Sequence, residues 1–389
     1  MASRGVRPAV RDAAQPKQAG IAVWDRAVRW FHWLLVIGVA TSLLTGYFGS
    51  ATTRDAHVVF GTLIAVLVVF RCVWGFFGGR HARFADFVRM PGAILRYAID
   101  LSTGSAPRHL GHNPLGGAMI LALLAVLAAL IATGVMALGG AFKDGPLAPF
   151  LTWTQGRAAL GVHAPLSVLL MAMIAAHLLG VLAESLRTRE NLVRAMITGR
   201  KAAREAAVGP ASQPEFTARP RLAAAMLAGL TLVAAPTIAH LSMLPGRGVP
   251  AAPLDQTYAK ECGACHAPHH PSLAPAATWS AIVAGLEDHF GDNAGLSPEV
   301  AAHINAYLLA NHAGTSDTLA SHRLAPPDTR APLRITATRG WLQIHTMLDD
   351  TVFKSKSVGG KVNCVRCHRD AENGRFSPRA IAIPEERSE

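Results

Sequence analysis

The sequence predicts an all-α membrane protein: a four-helix transmembrane bundle, a fifth transmembrane helix and a mostly helical C-terminal domain. Three observations predict this fold. The chain is 51% hydrophobic and only 16% charged, which is too apolar for an ordinary soluble protein. Five apolar segments are long enough to cross a bilayer. Residues 1–245 carry 23 Lys and Arg against 10 Asp and Glu, whereas residues 246–389 carry 14 against 15, so the excess of basic charge belongs to the membrane part.

The five apolar segments set the expected domain boundaries. A membrane domain occupies residues 1–200, a cytoplasmic linker rich in Ala, Pro and charge occupies 201–221, and a C-terminal domain occupies 246–389. The fifth segment also has the character of a signal peptide retained as an anchor, and its cleavage is left open. The expected transmembrane helices cover about residues 30–48, 57–77, 115–138, 161–182 and 222–244.

Basic residues alternate between the loops. Nineteen Lys and Arg lie in residues 1–29, 78–114 and 183–221, against three in the other two loops of the bundle. Because cytoplasmic loops carry the excess of Lys and Arg, we expect a cytoplasmic N-terminus and a periplasmic C-terminal domain in the bacterial inner membrane. This distribution explains the basic charge without a nucleic-acid partner, and none is expected.

The fourth apolar segment contains two histidines, His163 and His177. Fourteen residues of helix rise about 21 Å and rotate only about 40°, so both rings leave one face, one near each membrane surface. Intramembrane histidine is costly and usually functional, and imidazole is a standard axial ligand of haem iron. The alternative is two buried histidines satisfied by hydrogen bonds.

Two further histidines lie at matching depths. His32 begins the first segment on the cytoplasmic side, and His57 begins the second on the outer side. The sequence therefore predicts two non-covalent b-haems, one held by His32 and His177 and the other by His57 and His163. Solvated side chains are expected for the inner-loop histidines His81, His109 and His112. Four arginines near the ends of the segments are expected either to contact haem propionates or to lie there for topological reasons alone: Arg29, Arg71, Arg80 and Arg157.

Four of the five cysteines form two copies of one motif, Cys262-Gly-Ala-Cys265-His266 and Cys364-Val-Arg-Cys367-His368. C-x-x-C-H is the attachment motif of c-type haem, in which both thiolates bond the haem and the adjacent histidine binds its iron. A zinc site of two C-x-x-C pairs is the main alternative, but it does not require the histidines. Disulfides, which suit an outer compartment, leave them unexplained too. We expect two covalent c-haems.

Each c-haem needs a sixth ligand. His289, in LEDHFGDNA, and His345, in WLQIHTML, are favoured because each is expected in a helix at a foldable distance from a motif. A surface role is the alternative for each. His269 and His270 are expected to line the edge of the first c-haem.

The first 200 residues resemble the bacterial cytochrome b561 family, which includes hydrogenase cytochrome b subunits, in VWDRAVRWFHW, GHNPLGGAMI and RENLVRAMITGRK. Residues 254–385 resemble the dihaem cytochrome c family in ECGACH, TWSAIVAGLEDHFGDNA and CVRCHRDAENGRF. HAPHHP, after the first motif, departs from that family's more familiar aromatic residue. The resemblance implies b-haems at the four membrane histidines, exchange of electrons with quinone, and a soluble haem protein as partner.

The expected function is therefore that of a tetrahaem conduit with quinol:cytochrome c-type oxidoreductase activity. It passes electrons between the membrane quinone pool and a periplasmic haem protein, because bis-histidine iron has no open position for ligand chemistry. A membrane anchor subunit of a hydrogenase or dehydrogenase, and a haem-based gas-binding module, are the alternatives. The sequence leaves an oligomeric assembly open.

Overall fold

The structure is a computed structural model that describes residues 20–49, 53–201, 207–208, 218–324 and 333–384, with the backbone alone at 207–208. Most of the expected linker over 201–221 thus lies outside the described residues. The described chain is mostly helical and has almost no strands. The expected all-α class is confirmed.

Among the described residues, five helices are long and apolar enough to cross a membrane, as expected. Their apolar side chains cover most of the helix surface, which suits lipid on one side and neighbouring helices on the other. α6 has 36 residues, about 54 Å of helix, so it is longer than the hydrocarbon layer. It begins eight residues before the expected Gly161, because TQGRAAL contains no proline and only one glycine. The five are α1 (Arg26–Tyr47), α2 (Arg54–Phe77), α5 (Pro114–Ala141), α6 (Trp153–Thr188) and α8 (Pro220–Met243).

Short elements fill the remainder of the described chain. The short helices are α3 (Phe84–Phe87), α4 (Pro91–Ser102), α7 (Leu192–Thr198), α9 (Gln256–Cys262), α10 (Ala276–Ala284), α11 (Pro298–Ala310), α12 (Leu319–Leu324), α13 (Arg339–Ile344) and α14 (Asp350–Lys354). The two-residue strands β1 (Ile21–Ala22) and β3 (Arg200–Lys201) pair antiparallel, while β2 (Arg108–His109) and β4 (Ala207–Val208) pair parallel.

Two compact units divide the chain. Unit 1 contains Met1–Ile37, Leu67–Ala125 and Leu170–Met226. Its short elements are tied by backbone and side-chain hydrogen bonds. The Asp25 carboxylate accepts from the N–H of Val28 at 2.8 Å and from Trp74 Nε1 at 3.0 Å, which joins the start of α1 to the end of α2.

Unit 2 contains Gly38–Val66, Val126–Leu169 and Leu227–Glu389. Gly140 of α5 and Gly156 of α6 lie so close that a Cβ on either would meet the backbone of the other helix. The C-terminal part packs around one core, against which the partly buried Cys262 and Cys367 also lie. Both C-x-x-C-H motifs are therefore anchored on the same hydrophobic cluster. Its largest side chains are Tyr258, Trp279, Ile304, Leu308, Trp341 and Phe353.

The helical expectation for His289 and His345 is wrong in detail. α10 ends at Ala284, before Gly285, and His289 lies in a turn bridged to Asp292. The positive φ of 60° at Phe290 cannot continue a right-handed helix. His345 is the C-cap of α13 rather than an interior residue. Both rings thus project from helix or turn ends.

Candidate functional site

The histidines expected near one membrane surface are brought together in unit 2. The rings of His57, on α2, and His163, on α6, are separated by 6.2 Å between centroids, with an interplanar angle of 72°. An iron–nitrogen bond of about 2 Å, as for other histidine–metal bonds, places two axial imidazole centroids about 6 Å apart. The spacing of this pair therefore fits one haem iron between the two rings.

Hydrogen bonds orient both rings of this pair. Nδ1 of His57 lies 3.0 Å from the carbonyl oxygen of Ser42 and 3.4 Å from Oγ1 of Thr45. Nδ1 of His163 lies 3.0 Å from Oγ1 of Thr133, a hydroxyl that itself donates to the Ala129 carbonyl at 2.8 Å. Because Nδ1–H donates in each case, Nε2 is left as the nitrogen that binds metal.

Each of these rings also faces a glycine on a neighbouring helix. A Cβ at Gly46 of α1 would lie 3.3 Å from Cε1 of His57, and one at Gly134 of α5 would lie 3.3 Å from Cε1 of His163. Each glycine follows the threonine beside the same histidine, so two Thr-Gly pairs flank the site from opposite helices. Sequence reasoning missed all four residues, although the repeated Thr-Gly in two apolar segments was a usable signal.

The second expected membrane pair, His32 and His177, lies in unit 1. The two side chains are close enough for electrostatic interaction. Nδ1 of His32 and Nη1 of Arg71 are buried with no hydrogen-bond partner among the described residues. Arg71 is only 3% exposed. A buried guanidinium nitrogen and a buried imidazole nitrogen without hydrogen-bond partners fit a site for an anionic, metal-containing group.

The three inner-loop histidines, expected to be solvated, are instead packed, so that expectation is wrong. The ring of His112 lies 4.5 Å from that of Trp24 and 5.0 Å from that of Phe87, and its Nδ1 is buried. Burial, assisted by Arg71, lowers the pKa of His112 to about 3. His81 and His109 contact Trp24 and Tyr97, and burial lowers both of their pKa values.

At the first C-x-x-C-H motif, Cys262 ends α9 and His266 follows it in a loop. The ring of His266 stacks with that of His289, with 6.5 Å between centroids and an angle of 20°. Nδ1 of His266 lies 2.9 Å from the carbonyl oxygen of Ala267. The structure thus brings together the motif histidine and the expected distal ligand.

At the second motif, the rings of His368 and His345 are 6.2 Å apart, at an angle of 81°. Nδ1 of His345 donates to the carbonyl oxygen of Trp341 at 2.8 Å. Nδ1 of His368 is buried without a hydrogen-bond partner among the described residues, and Phe376 packs on its ring at 5.3 Å. The spacing of this pair equals that of His57 and His163 and is 0.3 Å shorter than that of His266 and His289.

The cysteines are free in the structure, including both of each motif. The described residues contain no group of three or more His, Cys, Asp or Glu side chains arranged around a metal ion. Both thiols of each motif are therefore available for thioether bonds.

His269 lies between the two motifs. Its ring is 5.2 Å from that of His266, and its Nδ1 is 3.9 Å from Sγ of Cys364. The Tyr258 hydroxyl donates to its backbone carbonyl, and burial lowers its pKa to about 4. His270 is buried against Gly374, next to the second motif. The HHP segment therefore connects the two motifs, a role that sequence reasoning missed.

The chain matches two protein families. Residues 23–199 match prokaryotic cytochrome b561, and residues 258–376 match dihaem cytochrome c. A probable Ni/Fe-hydrogenase B-type cytochrome subunit of Rhodobacter capsulatus is 24% identical over 48% of this chain and 82% of that protein. A probable Ni/Fe-hydrogenase 1 B-type cytochrome subunit of Escherichia coli K12 is 24% identical over 46% of this chain and 88% of that protein.

Solved structures match the C-terminal part. A diheme cytochrome c from Rhodobacter sphaeroides is 33% identical, covering 32% of this chain and 100% of that chain, with a TM-score of 0.28. A diheme cytochrome c from Shewanella baltica is 34% identical, covering 34% of this chain and 95% of that chain, with a TM-score of 0.28.

The two family matches and the five apolar helices identify the chain as a multi-pass bacterial membrane protein that transfers electrons through haem. It belongs to the prokaryotic cytochrome b561 family over residues 23–199 and to the dihaem cytochrome c family over residues 258–376. Its cofactors are haem b in the first part and two haem c in the second.

Proposed function

We propose that this chain is a tetrahaem conduit that carries electrons from the quinone pool of the bacterial inner membrane to a soluble periplasmic haem protein. Two b-haems would be held by His32 with His177 and by His57 with His163. Two c-haems would be bonded to Cys262 and Cys265 and to Cys364 and Cys367. Their axial ligands would be His266 with His289 and His368 with His345.

The observation that carries this proposal is the common geometry of three histidine pairs, whose centroids lie 6.2, 6.5 and 6.2 Å apart. Iron with two axial histidines has no open coordination position, which favours electron transfer over binding or activation of a gas. Hydrogen bonds at Nδ1 of four of these six histidines keep Nε2 available and hold each ring in place.

Topology supports the route. The excess of Lys and Arg on alternate loops favours a cytoplasmic N-terminus and a periplasmic C-terminal domain. The two b-haems, one near each membrane surface, then span the bilayer, and the c-haems lie in the compartment of a soluble partner. The division into a membrane domain over residues 1–200, a linker over 201–221, a fifth helix over 222–244 and a C-terminal domain over 246–389 is part of this proposal.

The test is spectroscopic and kinetic. Pyridine haemochrome spectra before and after acid–acetone extraction should give two extractable b-haems and two retained c-haems per chain. Mixing oxidised protein with decylubiquinol should reduce b-haem first and c-haem second. Retention of no haem c, or failure of quinol to reduce the b-haems, would overturn the proposal. Carbon monoxide binding to the reduced protein would contradict bis-histidine ligation.

A second candidate is a membrane subunit that receives electrons from a catalytic subunit, because the curated relatives are hydrogenase B-type cytochrome subunits. Purification in mild detergent distinguishes the conduit from the anchor subunit. A stoichiometric metalloenzyme partner, together with no reduction by quinol, would favour the anchor role over the conduit.

A further inference from the structure

The outer loop between α5 and α6, residues 142–152, forms ion pairs with the C-terminal domain through two adjacent residues of opposite charge. We call this segment the clamp loop. Nζ of Lys143 lies 2.6 Å from Oδ2 of Asp317, and Asp144 forms an ion pair with Arg379. One short loop of the membrane part therefore binds two separate segments of the C-terminal domain, one before and one after the second motif.

The Lys143 contact is the more buried of the two. Lys143 is 8% exposed and has a positive φ of 53°, a conformation that costs energy for a residue other than glycine. Asp317 also accepts from the N–H of Trp153 at 2.9 Å and from His322 at 2.7 Å. Although burial opposes ionisation, these hydrogen bonds lower the pKa of Asp317. The carboxylate thus accepts three hydrogen bonds and fixes the base of the loop.

Arg379 makes the contact that matters for electron transfer. Besides Asp144, its guanidinium donates to Asp55 at 2.8 Å. Hydrogen bonding to Asp55 and the charge of Asp144 raise the pKa of Arg379. Asp55 lies in the first turn of α2, two residues before His57. The guanidinium therefore binds one turn away from a proposed ligand of the outer b-haem.

On its other side, Arg379 is tied to the second c-haem motif. The N–H of Arg369 donates to the Ala380 carbonyl at 3.0 Å, and the N–H of Ala382 donates to the Cys367 carbonyl at 2.7 Å. The segment that carries Arg379 thus runs antiparallel to the motif, with Ile381 opposite His368. One ion-pair cluster joins the neighbourhoods of His57 and His368.

A cavity of ≈ 360 Å³ lies between the clamp loop and this segment, lined by Phe142, Asp144, Phe376 and Arg379 among others. Phe376 packs on the His368 ring at 5.3 Å. The first motif is linked to the second through His269, which contacts both His266 and Cys364. The contacts thus follow one order, from His57 through Arg379 to the second motif and through His269 to the first.

We propose that Arg379 and the clamp loop dock the second motif against the outer histidine pair, so that the site of Cys364 and His368 is the first acceptor of electrons from the membrane part. The site of Cys262 and His266 is then the terminal one. This inference rests on the proposed function. A b-haem at the His57–His163 pair would supply one electron and a c-haem at the second motif would accept it, with no proton or bond exchanged.

The order of the two c-haems is tested by removing them one at a time in the full chain. The variant Cys364→Ala/Cys367→Ala should reduce its b-haems with decylubiquinol in stopped-flow mixing but leave the remaining c-haem oxidised on that timescale. In the matched variant Cys262→Ala/Cys265→Ala, the remaining c-haem at the second motif should still be reduced promptly. The reverse pattern, or prompt reduction in both variants, would overturn the order.

Docking is tested without removing a haem. Arg379→Glu replaces two attractions by two repulsions, and partly exposed ion pairs each contribute modestly, so we expect b-to-c electron transfer to slow by about tenfold. Backbone hydrogen exchange should accelerate in residues 142–152 and 377–382. Arg369→Glu is the control, because it places the same charge change beside His368 while its backbone N–H still reaches Ala380.

Equal exchange and equal rates in Arg379→Glu and Arg369→Glu would overturn the docking role. Hydrogen exchange reports on docking whether or not quinol is a substrate. If quinol fails to reduce the b-haems of the unaltered protein, the proposed function fails, whereas the exchange difference still decides the clamp. If both b- and c-haems are reduced but Arg379→Glu changes neither readout, the clamp alone fails.

Discussion

The two haem-binding parts of this chain obtain their histidine pairs in opposite ways. In the membrane part, His57 and His163 are 106 positions apart in sequence and lie on different helices, and neither belongs to a local motif. In the C-terminal part, His266 and His289 are 23 positions apart, and each motif histidine directly follows its cysteines. The membrane sites therefore depend on helix packing, whereas the C-terminal sites begin with covalent attachment.

Deleting an axial histidine should have the largest effect, and the effect should differ between the two parts. His163→Ala should abolish retention of the outer b-haem, because no covalent bond remains to hold it. Haem content per chain should fall by one extractable haem, with both c-haems kept, in pyridine haemochrome assays. His240→Ala, on the exposed face of α8, is the control. Retention of both b-haems in His163→Ala would remove this residue from the site.

The same deletion in the C-terminal part should behave differently. His345→Ala should keep its c-haem, since the Cys364 and Cys367 thioethers remain, but it opens one axial position. Reduced protein should then bind carbon monoxide at one haem per chain, seen as a shift of the Soret band. Leu342→Ala, on the exposed side of α13, should bind none. A His345→Ala variant without carbon monoxide binding would assign the distal position to another residue.

Filling the space beside His163 should have a smaller effect on haem content than deleting the ligand. Gly134→Val would press branched methyl groups against His163, whose Cε1 already lies 3.3 Å from a Cβ at this position. We expect substoichiometric b-haem in the purified protein. Gly229→Val, on α8 with open space around its Cβ, is the matched glycine control. Equal haem content in the two variants would show that Gly134 does not shape the site.

Removing the hydrogen bond that orients the His163 ring should have a smaller effect still, on the affinity for haem. Thr133→Val keeps the shape but removes the oxygen that accepts from Nδ1. Loss of such a partner typically weakens metal binding about tenfold or more, so haem titration of the extracted protein should show weaker binding at one site. Thr133→Ser, which restores the hydroxyl, should bind as the unaltered protein does. Equal affinity in Thr133→Val and Thr133→Ser would exclude the role.

The smallest expected effect is on the pH dependence of the stability of unit 1. Burial lowers the pKa of His112 to about 3, whereas the unfolded chain binds a proton below about 6.5. The contribution of neutral His112 to stability is therefore complete above pH 6.5 and is lost as the pH falls from 6.5 towards 3. Thermal unfolding at pH 7 and pH 5, followed by b-haem absorbance, should show a smaller decrease in His112→Phe than in the unaltered protein or in His240→Phe.

Much of the architecture could be predicted because its signals are local. Apolar length fixes the number of transmembrane helices, and the spacing of His163 and His177 places two rings on one helix face. Helix ends were less predictable, since α6 already begins in the partly polar residues 153–160. His289 was expected in a helix, but Gly285 and the positive φ of Phe290 turn the chain before and after it.

What the sequence alone determined is the class of the protein: membrane helices from hydropathy, and haem attachment from cysteine and histidine spacing. Both follow from short-range chemistry that any fold must respect. Only the tertiary structure decided which residues meet, including Thr133 with His163, His269 with both c-haem motifs, and Arg379 with Asp55. Such contacts join residues far apart in the chain, and they depend on side-chain packing and burial that no local pattern records.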